Sequence, residues 1–296
     1  MAAIGKKKRR KLAGTELVSL ILLTMVVVLI IIPFWNAIVI SLQTEAAHAR
    51  QAFSWWPEEI TLENYRHLFI SGGKLLKAYR ATIILAILGT VCPMIVTTMA
   101  AYGFSRSFPG KRFFMMMMLA TMFISGGLIP TYLNIKQLGL LDTYSVIVLS
   151  SLVSTYNIIV MKSGFESVPM ELQEAAMIDG ATDLKIFTTV MLPLQKPIIA
   201  TFSLFNAVGM WNSWYTPMLY LNSGQKTTLQ LYLRSIINNA TVMQNSMSST
   251  QMGLDNVFSD GIKMAAVFVV MLPIMLIYPF IQKYFVKGLM VGAVKM

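Results

Sequence analysis

The residues with the most chemistry to offer lie close together, between positions 166 and 196. Glu166, Glu171, Glu174, Asp179 and Asp183 set five carboxylates there against Lys162, Lys185 and Lys196. Ala175 and Ala176 stand among the acids, small enough to let a helix seat closely in a cleft, and Gly180 can end such a helix. This combination suits ion pairing with a basic surface; the plainer alternative is a solvated connecting loop. A second group is polar and aromatic: Tyr156 and Asn157, then Trp211, Asn212, Trp214 and Tyr215, all in otherwise apolar sequence. Aromatic faces pack on sugar rings and amides hydrogen-bond hydroxyls, so these six are candidates to line a path for a polyhydroxy solute. Helix packing or interfacial anchoring of aromatics is the alternative.

Other chemistry is missing. Gly224-Gln225-Lys226-Thr227 lacks the earlier glycine and the spacing of a G-x4-G-K-[ST] phosphate loop, so no nucleotide hydrolysis is expected of this chain. His48 and His67 stand apart, without Cys or carboxylates at ligand spacing, so no metal, no directly bound cofactor and no catalytic residue is expected. The single cysteine, Cys92, excludes an intrachain disulfide.

The elements that must carry these residues are apolar. Of 296 residues 56% are hydrophobic and only 12% charged, about half the charge of a soluble domain. Six segments are long and apolar enough to cross a bilayer as helices: 17–42, 78–104, 113–133, 144–165, 197–221 and 262–286. The expectation is an all-α, polytopic membrane protein with six transmembrane helices. Pro33, Pro93, Pro130, Pro217, Pro273 and Pro279 fall inside these runs, where neighbouring helices can satisfy the freed carbonyls. The basic block Lys6–Lys11, the apolar stretch after it and Ala47-His48-Ala49 together imitate a secretory signal. However, the apolar region is far longer than the 7–15 residues of a signal, which favours an uncleaved first span.

Placing both termini in the cytoplasm puts fifteen of the 24 Lys and Arg on the inner side, as the positive-inside bias demands. The net charge of +11 is therefore topological and does not call for a nucleic-acid partner. This leaves a basic tail 1–16, a membrane domain 17–296, outer loops 43–77 and 222–261, and the acidic inner loop 166–196. The outer side carries nine basic and seven acidic residues, too even to demand an anionic solute. The spans hold almost no internal acids, which argues against a proton- or sodium-coupled carrier.

Within the acidic loop, Pro169 suits the first turn of a helix with Glu171 near its positive end. The helix is predicted to run to about Ile178 and stop at Gly180. Thr182 then caps a second helix with Asp183 in its first turn, and Pro193 disfavours helix at Leu192, where the chain is expected to re-enter the bilayer.

The same residues carry a family resemblance. Glu174-Ala175-Ala176, Asp179-Gly180-Ala181, Phe187, Leu192-Pro193 and Pro197 match every fixed position of E-A-A-x-x-D-G-A-x5-F-x4-L-P-x3-P over 24 residues. That pattern resembles the signature loop of carbohydrate ABC-importer permeases. Trp211-Asn212 with Pro217, and the tail 285–295, are similar to further segments of that family, although Met296 ends the chain where many relatives carry glycine. The similarity is to the smaller permease of maltose-type importers, and to the subgroup for longer oligosaccharides, some of them uronate-containing, such as those of alginate or rhamnogalacturonan.

The resemblance implies the ABC type I importer permease fold in the bacterial inner membrane. It also implies a homologous second permease, two ATPase subunits that use ATP and Mg, an extracytoplasmic sugar-binding protein and an oligosaccharide substrate. Glu174 is implied to pair with a basic residue of the ATPase, Ala175 and Ala176 to pack against it, and Gly180 to allow the turn. The 222–261 loop is implied to meet the binding protein and the C-terminal tail to touch the ATPases. A permease for osmolytes, amino acids or peptides, an ion-coupled carrier, and a membrane scaffold without transport activity remain the alternatives.

Overall fold

The computed structural model describes residues 14–51, 53–70, 73–246 and 258–293. The basic block Lys6–Lys11, residues 247–257 of the expected second outer loop and the last three residues of the tail lie outside these. Helices dominate, and the one β feature among the described residues is an isolated bridge between Gln43 and Ile60. The chain divides into two compact units, residues 1–68 with 242–268, and residues 69–241 with 269–296.

In the first unit α1 (Gly14–Ser41) is one continuous helix through Pro33, with its flank from Leu17 to Ile31 exposed. Such a surface is stable only against lipid or another apolar helix. The segment expected to form the first outer loop is folded. It contains α2 (Glu45–Arg50), capped by Thr44, and α3 (Glu63–Ile70). Buried Asn64 ties the segment to the end of α1, its Nδ2 donating to the carbonyls of Ser41 and Gln43 at 3.0 Å each. Ala47 is buried inside α2.

The second unit is built on α4 (Lys74–Ser105), which continues through Pro93. The next expected span, 113–133, is not one helix. It is α5 (Lys111–Phe123) and α6 (Leu128–Gln137), bent by 113°. Likewise 144–165 is α7 (Ser145–Ser150) and α8 (Thr155–Glu166), and 197–221 is α12 (Lys196–Trp211) and α13 (Tyr215–Tyr220). The reason is local. Pro130 and Pro217 each sit in the first turn after a break, where a missing N–H costs nothing because the first four donors lack helical partners anyway. Gly126 and Gly127 loosen the first break, with Gly127 at φ +82°, and Ser154 recaps α8 by accepting from the Asn157 N–H at 3.4 Å.

Between α8 and α12 lie α9 (Met170–Ile178), α10 (Asp183–Ile186), a π-turn at Phe187–Met191 and α11 (Leu192–Leu194). Beyond α13 come α14 (Leu229–Ser246) and α15 (Ser259–Ala293). Among the described residues three helices, α1, α4 and α15, are each long and apolar enough to cross a membrane alone, and α5 with α6 makes a fourth if the bent pair counts as one. Packing of α4 against α12 and α8 organises the unit. At Gly89 a Cβ would stand only 2.6 Å from the Met210 side chain, so glycine is what lets α4 and α12 approach there.

Candidate coupling and translocation site

The acidic loop folds much as its sequence demands. Pro169 is the N-cap of α9, one position earlier than expected. The helix stops after Ile178, and Gly180 takes the left-handed conformation, φ +78°. The Gly180 N–H then donates to the Met177 carbonyl and the Ala181 N–H to that of Ala176, both at 3.0 Å. This paired closure satisfies carbonyls that the helix end would leave open. Thr182 caps α10, accepting from the Lys185 N–H at 3.4 Å.

One expectation fails. Leu192 is helical, and the chain turns at Gln195 instead. A proline at 193 in a regular helix clashes with the carbonyl four residues back. Here the preceding turn widens, so that the Leu192 N–H reaches the Phe187 carbonyl five residues back and room opens for the ring.

The loop's second arm is anchored inside the bundle. Ile186, Phe187 and Met191 are buried with Tyr102, Met161, Phe165 and Phe202. Phe187 lies 5.0 Å from the Tyr102 ring and 6.3 Å from that of Phe165. Ala176 and Ala181, both half-buried, also pack against this cluster. What faces away from the protein is Glu171, Glu174, Ala175, Asp179 and a set of large apolar side chains: Met170, Leu172, Met177, Leu184 and, 86% exposed, Ile178.

Sequence reasoning missed the fastening of this loop. Arg106, at the C-cap of α4, counts in the sequence only as one of the fifteen charges expected on the inner side. Its Nη1 donates to Oε1 of buried Gln173 on α9 at 2.5 Å, and its Nη2 donates to the Asp183 carboxylate at the start of α10 at 2.8 Å. The guanidinium also rests 5.3 Å from the Tyr102 ring centroid. One side chain thus ties both arms of the loop to the longest helix of the unit. Beside it, Glu166 at the end of α8 pairs with Lys162 at 2.6 Å and Lys111 at 3.4 Å. Partial burial pushes its pKa up, but the two ammonium groups outweigh this and hold it below the ordinary value.

The polar-aromatic candidates separate. Trp211 is buried 6.4 Å from Tyr79, with its indole N–H unpartnered among the described residues. Asn212, exposed, accepts from Gln230 Nε2 at 3.3 Å. Trp214 and Tyr215 stand edge to face at 5.6 Å, both exposed, with the Arg234 guanidinium 3.8 Å from the Trp214 ring centroid. Tyr156 is exposed on α8 and Asn157 half-buried beside it. The structure does not bring these two into the cavity described next.

The three helix breaks surround one cavity of about 440 Å³. Ser125, Gly127 and Thr131 come from the first break, Ser150 and Ser151 from the second, and Ser213, Tyr215 and Thr216 from the third. Irregular backbone at membrane depth is tolerated where it lines a cavity, and discontinuous helices commonly frame solute sites. The glycine pair before Pro130 was the sequence signal for this wall; the serines of 150–154 gave none beyond their polarity.

Asp142 fixes the far side of α13. It is non-glycine at φ +61°, and its Oδ1 accepts the N–H groups of Asn222 and Ser223 at 3.1 and 3.2 Å, while its carbonyl accepts from Lys226. The hydrogen bonds from Ser223 lower its pKa foremost, with Lys226 assisting. A lowered carboxylate pKa gives stabilisation that is present above the unfolded value and lost as pH falls through the folded one. Thermal unfolding of Asp142→Val should therefore show a lower midpoint than wild type at neutral pH, and the gap should narrow only below about pH 4. A gap that persists unchanged at pH 3 would leave strain, not the carboxylate, as the cause.

Residues 84–291 match the family model of the binding-protein-dependent transport system inner membrane component. The polygalacturonan/rhamnogalacturonan transport system permease protein YtcP of Bacillus subtilis (strain 168) is 38% identical over 274 residues, 92% of this chain and 95% of that protein. Protein LplC of the same organism is 36% identical over 273 residues, 90% and 89% of the two chains. In structure the chain is similar to a subunit in the crystal structure of a bacterial ABC transporter involved in the import of the acidic polysaccharide alginate. The TM-score is 0.81 at 28% identity, covering 93% of this chain and 99% of that one. With the all-helical fold and the fully matched loop, these relationships place the chain in the family of binding-protein-dependent transport system inner membrane components, as an ABC-importer permease.

Proposed function

We propose that the chain is one of two homologous permease subunits of an ATP-driven oligosaccharide importer, forming half of its translocation path. It crosses the inner membrane six times with both termini in the cytoplasm, three crossings being broken at the cavity of α5–α6, α7–α8 and α12–α13. An extracytoplasmic sugar-binding protein delivers substrate to the outer segments. Two ATPase subunits, which use ATP and Mg²⁺, sit beneath, and α9 docks in a cleft of one of them. Closure of the ATPase pair drives α9 inward, and the anchored loop passes that movement to the bundle as a rigid body. The one relative named as a polygalacturonan/rhamnogalacturonan permease and the alginate-importer neighbour support oligosaccharides, acidic ones included, as the solute class.

The observation that carries this reading is the outward face of α9. Carboxylates and large apolar side chains are exposed together on a short helix whose back is pinned to the protein's own core. A solvated loop has no use for an exposed apolar group of this kind, whereas a docking helix does.

In proteoliposomes holding the assembled importer, Glu174→Lys is expected to cut ATP-driven uptake of an oligogalacturonate by about 10-fold or more, since reversing one partner of a docked charge pair costs several kcal/mol. Undiminished uptake would remove Glu174 from the docking face. A cysteine introduced at Lys185, exposed beyond the docking helix, with Cys92 replaced by serine, should react with an impermeant maleimide only from the cytoplasmic side. Labelling from the outer side would overturn the topology.

A further inference from the structure

The described part of α14 holds a basic group without an acidic counterpart. Arg234 is half-buried, its guanidinium 3.8 Å from the centroid of Trp214, and among the described residues no carboxylate lies within ion-pair distance of it. A cation fixed on an aromatic face keeps its edge N–H groups free, in the planar fork that matches a carboxylate. Gln230 lies one helical turn before Arg234, so amide and guanidinium share a face of α14. Gln230 is in turn held by Asn212 at 3.3 Å. Tyr215, exposed and edge-on to Trp214, also lines the cavity at the helix breaks. Aromatic ring, paired amides and an unneutralised guanidinium therefore converge where that cavity begins.

We propose that Arg234, with Trp214, Tyr215, Gln230 and Asn212, forms a subsite for a carboxylate-bearing sugar residue, so that this chain itself selects for anionic oligosaccharides. The sugar ring stacks on the exposed aromatic faces and its hydroxyls meet the amides. Its carboxylate takes two parallel hydrogen bonds from the guanidinium. The overall balance of outer charges does not reveal this preference, because one placed arginine decides it rather than a field. The inference rests on the oligosaccharide-importer reading above.

The test compares tri-galacturonate with its fully methyl-esterified form in proteoliposomes of the assembled importer, with one binding protein throughout. The readout is the ratio of kcat/KM for acid over ester in stimulated ATPase activity. Because it is a ratio, differences in assembly or folding cancel. Arg234→Gln is expected to lower the ratio by about 10-fold, the worth of a charge-assisted hydrogen bond. Arg234→Lys, which keeps charge but not the fork, should fall in between. An unchanged ratio overturns the subsite, and so does an equal loss for acid and ester, the result expected if Arg234 holds a lipid phosphate. Should neither sugar stimulate the importer while an amino acid or osmolyte does, the sugar reading fails first and the subsite falls with it.

Discussion

Gly180→Pro is expected to bring ATP-driven uptake to background, while Gly180→Ala keeps most of it. The glycine sits at φ +78°, and its N–H closes the end of α9 on the Met177 carbonyl. Proline fixes φ near −65° and has no N–H, so both the turn and the paired closure are lost, at about 3 kcal/mol or more. That loss is local. Ile186, Phe187 and Met191 remain packed among the bundle helices, so the variant should still insert and assemble. What changes is the angle between α9 and α10, and with it the direction in which Glu174 and Ile178 point. Alanine is a different case. A Cβ at Gly180 meets nothing within 4 Å, leaving only the left-handed strain of about 1–2 kcal/mol. Uptake and recovery of the ATPase subunits with the permease are the measurements. Normal uptake by Gly180→Pro would mean that the turn does not set the docking geometry.

This element was legible from sequence because its rules are local. A proline start, a glycine stop and a threonine cap act within five residues, and α9 ends where they say. The continuity of the spans was less legible. Hydropathy reports whether a segment is apolar but not whether its axis is straight. The first-turn prolines that mark breaks at Pro130 and Pro217 look the same on the page as Pro93, which α4 simply absorbs. What precedes them does not separate them either: Gly126-Gly127 stand before Pro130 and Asn212-Ser213 before Pro217, but Gly89-Thr90 stand likewise before Pro93, where α4 runs on unbroken with Gly89 closely packed on the Met210 side chain.

The fastening of the loop was not legible at all. Arg106 is 67 residues from Gln173 and 77 from Asp183, and no periodicity links positions so distant. Its charge had a sufficient explanation in topology, which concealed its second role. Ala176 shows a related limit. Small size marks a residue that permits close packing, but not which of two neighbouring surfaces it packs against, and here it is the protein's own core.

Arg106→Ala is expected to lower the amount of sugar carried per ATP hydrolysed by about 10-fold, the upper part of the range for mutations that uncouple sites. The energetics explain why the fold should survive. The Asp183 carboxylate is 80% exposed and the Arg106 side chain 26%, so screening leaves their ion pair worth at most about 1 kcal/mol. Stranding the buried Gln173 oxygen costs about 1–3 kcal/mol more. Neither sum threatens a bundle held by α4, α8 and α12. Mechanically the loss is larger, because α9 and α10 are then joined to α4 through apolar contacts alone, and part of the ATPase stroke is spent in moving the loop against its own bundle. Arg106→Lys separates charge from geometry: a single ammonium cannot span both Gln173 and Asp183 as a planar fork does, so coupling should be restored only in part. If Arg106→Ala slows uptake and hydrolysis in equal proportion, leaving the ratio at the wild-type value, the arginine only supports the loop's structure and transmits nothing.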